Sequence, residues 1–416
     1  MKRVTTVLGW AIACALLAPA CSEEEGGAGA AAATGGAGGA SGGAAGGAGA
    51  SGASGGGGDA AASDAPADAP TDGGPGCATF DPAQPTVSCL DVAGGDPEVV
   101  AGAVFAVSYV YVDEDRDRQK DPDAWRKLGF DVDGQATDAS SANHCAPYGG
   151  ADVASVKTDG DSGIDNGFVK SLAPVISGLS SGWVESWNRA LAQGSGTILV
   201  RVPGLDASSG GALPAYGYSS VEACTDWPLP PDGGLDAGGA DAAVGEGGTG
   251  SRRAVALDRT SVCEGDVERP LWSAPGGTLT GDRWASGVVP EAFVAIPLSD
   301  ATLVVRLRSV RLEMTLSADR ESATLGVLSG VVDVEELVAQ LIRIKGALTQ
   351  LACTIPSLID GYLETVRRAA DILPDGTQDP TKTCAGLTLG LGFDARRVDV
   401  RAVAQTPLPA DTCDGG

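Results

Sequence analysis

Residues 26–58 contain only Gly, Ala, Ser and one Thr, and residues 59–76 add Asp and Pro. Side chains this small or polar cannot bury a core, so a packed domain has to begin after them, near Cys77. The stretch reads as a flexible tether; from Ser22 to Gly76 it would span roughly 40 Å as a coil. A second segment of the same composition, residues 228–251 (PLPPDGGLDAGGADAAVGEGGTGS), reads as a disordered insertion within the folded part. The expected organisation is therefore 1–20 signal, 21–76 anchor and tether, 77–227 and 252–416 as the two halves of a β-rich body, either one large domain or two coupled ones, and 228–251 between them.

The first 20 residues predict export. Lys2 and Arg3 precede an apolar run from Val4 to Leu17, which is too short to span a bilayer, and Ala18-Pro19-Ala20 leads into Cys21. Leu17-Ala18-Pro19-Ala20-Cys21 resembles a bacterial lipoprotein signal, with Pro19 departing from the common pattern. That resemblance implies that Cys21 is acylated and becomes the mature N-terminus. Two or three acyl chains anchor durably where one is marginal. Ser22 rather than Asp follows the cysteine, which points to the outer membrane. The expected location is thus the cell envelope, held by lipid alone. A net charge of −26 excludes nucleic acid or anionic lipid as general partners.

Ten cysteines less Cys14 and Cys21 leave Cys77, Cys89, Cys145, Cys224, Cys263, Cys353, Cys384 and Cys413. An exported chain with an even count predicts four disulfides, with connectivity open. Cys77–Cys89 and Cys353–Cys384 would be local staples, and Cys224–Cys263 would clamp the insertion. No CxxC pair points to zinc or thiol redox chemistry.

Residues 98–112 are rich in β-branched and aromatic residues and predict one long strand or two short ones. Thr197–Gly204 predicts another strand. After the insertion, AVALD, EAFVAIPL, ATLVVRL, SVRLEMTLSA, SATLGVLSGVV and residues 386–404 alternate with turns. The fold class expected is mainly β (α+β): an antiparallel sheet or β-sandwich, stapled by disulfides, with a helical pair near the C-terminus. Asp333 and Glu336 form a capping-box pattern ahead of an apolar stripe of Leu337, Leu341, Ile344 and Leu348. Pro356 opens a second helix, with Ile359, Tyr362, Leu363, Val366 and Ala370 on one face. Trp183 and Trp187, four residues apart, read as core rather than as a ligand platform.

The chemistry concentrates in residues 129–168. Asp131, Asp133 and Asp138 precede Cys145, and Asp159, Asp161 and Asp165 follow it, all interleaved with glycine. Carboxylates at alternate positions among glycines suit a hard cation, so Asp131, Asp133, Asp159, Asp161 and Asp165 are the candidate calcium ligands. The stretch is not an EF-hand: counting from Asp159, position 6 is Ile164 and position 12 is Lys170. The alternative is a set of Asx turns pinned by a disulfide. Asp371, Asp375 and Asp379 recur every four residues, but Pro374 and Pro380 mark that segment as a turn-rich loop. His144 is the only histidine, which excludes multi-histidine metal sites, and no GxSxG motif accompanies it. GLTLGLG (386–392) sits in a strand and opens no helix, so it is no phosphate loop.

LGFDVDGQATD, a following cysteine, DGDSGIDNGF, SGTILVRVPG and AADILPDGTQDPTKTCAGLTLGLGF together resemble segments of uncharacterised envelope lipoproteins of the myxobacterial type. The resemblance covers most of residues 98–404 and implies a lipidated cysteine, a small-residue tether and an exported β-rich body. It implies no catalytic residues. The expected function is a non-enzymatic binding or structural display module. The alternative is a secreted hydrolase using paired carboxylates.

Overall fold

The computed structural model describes residues 100–138, 140–151, 158–179, 181–223, 252–263, 266–270, 272–298, 301–348, 353 and 357–404. The signal, Cys21, the tether, Cys77, Cys89, Cys224, Cys413 and the 228–251 insertion lie outside these residues.

The described body is mostly β. Eight strands carry it: β1 (Val100–Tyr111), β2 (Ile198–Val202), β3 (Ala215–Ala223), β4 (Arg253–Asp258), β5 (Arg283–Leu298), β6 (Ala301–Leu316), β7 (Ser322–Asp333) and β8 (Gly386–Ala404). β5, β6, β7 and β8 pair antiparallel in chain order, as a run of strands joined by short turns would. β8 then does two jobs along its 19 residues. Gly386–Arg396 pairs with β7, while Val398–Ala404 pairs in parallel with β4 along the same edge. β1 lies along the other edge, from Val100 opposite Val400 to Tyr111 opposite Gly392.

Since β1 also pairs with β2, β2 with β3, and β3 with β4, the ladder returns to β8 and closes a five-stranded ring. Alternate residues from all five strands fill it: Val104 and Ala106 of β1, Leu199, Tyr218, Val255 and Leu257, then Val398 and Val400. Closure removes strand edges that would otherwise recruit other chains.

The opposite faces of β1 and β2, through Phe105, Val107, Ile198, Val200 and Val202, join a larger core shared with β5 to β8 and the helices. Helix α1 (Trp183–Ala192) contributes Trp183 and Trp187, each 1% exposed and stacked with centroids 6.2 Å apart, so both are core. Asn188 of α1 accepts from Val110 N (2.7 Å) and donates to Val110 O (3.0 Å), tying the helix to β1.

Helix α2 (Val334–Arg343) starts at Asp333, whose Oδ1 accepts from the Glu335 and Glu336 amides at 3.0 and 3.2 Å. Glu336 does not complete a reciprocal cap. Its carboxylate is taken by Arg308 and lies 3.6 Å from Arg306, two charged partners that outbid a single backbone N–H. Helix α3 (Ser357–Arg368) buries Ile359, Leu363 and Val366, and its Arg367 pairs with Glu335 of α2 at 2.7 Å.

One bridge departs from expectation. Cys384 is bonded to Cys145, 239 residues away, and not to Cys353. Just before β8 the chain runs beside residue 146: Ala146 N donates to Lys382 O (2.7 Å) and Cys384 N to Ala146 O (2.8 Å). That pairing presses Cys384 against Cys145, and both are buried. Cys353 is also disulfide-bonded.

Candidate cation site

The acidic stretch is laid across β8, and glycine makes the contact possible. A Cβ on Gly390 would stand 2.2 Å from Leu128 O, and one on Gly129 would stand 2.9 Å from Ile164 Cγ2. The glycines of GLTLGLG therefore serve close packing, not phosphate binding. Asn166, 3% exposed, locks the crossing: its Nδ2 donates to Leu128 O (2.7 Å) and Gly390 O (3.0 Å), and its Oδ1 accepts from Gly390 N (3.0 Å).

Two short segments then run side by side, with Asp165 N bonded to Phe130 O and Asp159 N to Thr137 O, each at 3.1 Å. Asp131 caps its own turn, accepting from Gly134 N at 2.6 Å; Asp133 accepts from Gln135 N at 2.8 Å. The second is the Asx turn that an Asp-Gly sequence favours. Asp165 accepts from Val132 N at 2.7 Å, and Asp159 from the amide and hydroxyl of Thr137.

The pairing gathers Asp131, Asp133 and Asp165, whose potential ligand oxygens all lie within 4.8 Å of one another. Asp133 Oδ2 is buried with no hydrogen-bond partner. Asp161 is not gathered; it is exposed and pairs with Arg126 at 3.1 Å. Asp138 also stands apart, in a turn with Ser140 and Ser141. His144, partly buried, belongs to no group of three potential ligands among the described residues.

One member of the charge network, Asp371, comes from the segment that the sequence marks as a turn-rich loop. Asp371 accepts from Thr388 N at 2.8 Å and from the Thr388 hydroxyl. Burial pushes its carboxyl up to about 7, and Asp159 adds to the rise. Burial likewise raises Asp159, with Asp133 adding to it, and raises Asp165, with Asp133, Asp159 and Asp371 adding to it. Asp133 rises through burial, helped by Asp131. Burial lowers the Lys170 amine, which donates to Thr158 O (2.8 Å) and lies 4.9 Å from the Trp125 ring centre; Asp371 and Asp159 partly offset that lowering. The neighbouring Asp375 and Asp379 hold turns, bonding Thr377 and Thr381. The Asp371 segment is brought to the cluster by the disulfide and by Gln378, which accepts from Cys145 N (3.0 Å) and donates to Asp371 O (3.1 Å).

Oxygen donors of this kind, crowded and desolvated, suit a hard divalent cation, with backbone carbonyls or water completing its shell. No family model matches the chain, and neither a curated protein nor a solved structure matches it.

Proposed function

We propose that the chain is a non-enzymatic module of the cell envelope, anchored by lipid on Cys21, presented on its tether at the outer membrane, and braced by calcium at Asp131, Asp133 and Asp165. The observation that carries the cation reading is the convergence of these three carboxylates within 4.8 Å, beside Asp159 and Asp371. Like charges this close repel unless protons or a cation neutralise them. The cation's role is structural: it would clasp the two arms of the 129–165 stretch, Asp131 and Asp133 on one and Asp165 on the other, with α2 and α3 read as a bracing pair on the β body. The anchor rests on the apolar run ending at Cys21 and the small-residue stretch after it.

Thermal unfolding in millimolar calcium against chelator, with magnesium as control, tests the cation. Calcium at about 100 times Kd should add roughly 2.7 kcal/mol. Asp165→Asn should shrink that difference; a melting temperature indifferent to calcium in both proteins sinks the reading. For the anchor, Cys21→Ser should move the protein to the soluble fraction and abolish fatty-acid labelling. Persistent labelling would place the lipid elsewhere.

One observation favours a second reading, a carboxylate-dependent hydrolase: Asp371 stands in one network with Asp133, Asp159 and Asp165, and paired carboxylates are what such a reaction requires. Turnover of aryl glycosides by the wild type that disappears in a folded Asp371→Asn variant would establish it in place of the first.

A further inference from the structure

We draw no further inference here: the strongest candidate, the groove between helix α2 and strands β5 to β7 lined by Phe293, Val304, Val332, Leu337 and Gln340, carries nothing because nothing in the structure shows what covers it.

Discussion

Gly167 and Asp371 touch so closely that a Cβ on Gly167 would stand 2.3 Å from Asp371 Oδ2. The backbone at Gly167 is ordinary right-handed helix, φ −62°, so the glycine is required by its neighbour and not by its dihedral angles. Gly167→Ala should therefore force Asp371 off Thr388 and destabilise the protein by roughly 1–3 kcal/mol, the usual cost of overpacking. Urea unfolding measures it. A neutral or stabilising alanine would mean that the carboxylate moves aside freely.

The carboxylate cluster sets a direction for pH dependence. Asp371 titrates at about 7 in the fold against an ordinary 3.8, so its protonated form favours the folded state. Its contribution is complete below the unfolded value and is lost as pH rises through the folded one. Asp133, Asp159 and Asp165 are shifted in the same direction. Ion-paired carboxylates such as Asp206, lowered by Arg397, have the opposite slope, but at more acidic pH. In chelator, the melting temperature should therefore fall between about pH 5 and about pH 8. Calcium binds the ionised forms, so it should flatten or reverse that slope. Asp371→Asn should weaken the fall in chelator; a melting temperature that climbs over this range without calcium contradicts the argument.

The Cys145–Cys384 bridge closes a loop of 239 residues between two segments of the acidic site. Replacing both cysteines with alanine should cost roughly 2–5 kcal/mol. The loss should be uneven, because Asn166 and the ladders of β8 do not depend on the bridge. Hydrogen exchange should speed up first around residues 140–151 and 371–385, while β1 and β2 stay protected. Uniform acceleration would show that the bridge supports the whole body.

Much of the strand content was legible because β-branched runs such as AVFAVSYVY leave few alternatives. Ring closure was not. Residues 386–404 read as one strand, and nothing local tells that Leu387 and Val403 meet different partners along one edge. The cysteine pairing failed for a related reason: Cys353 is nearer in sequence, but the 382–384 segment pairs with residue 146. For the site, five acids among glycines read alike; the fold gathers Asp131, Asp133 and Asp165, while Asp159 bonds Thr137 and Asp161 pairs with Arg126, a difference no local pattern carries. Asp371 was masked by its company, since Asp375 and Asp379 at the same spacing hold only turns. The usable signal was Thr388, a polar residue amid the apolar positions of β8, which has to find a buried partner.

β1 is the first described strand after the tether, and it is hydrogen-bonded along both edges, to β2 and to β8. On the lipid anchorage proposed above, this decides how the molecule would bear load. Val100 lies opposite Val400, so a pull entering at Val100 and opposed at the far end of β8, before Gly386, runs along the strand and loads the bonds of two ladders together in shear. An edge strand would be peeled one bond at a time. Stretching the body between Val100 and the segment just before Gly386 in a single-molecule force measurement should accordingly give one abrupt rupture, and a staircase of small yields would show that β1 is not what holds.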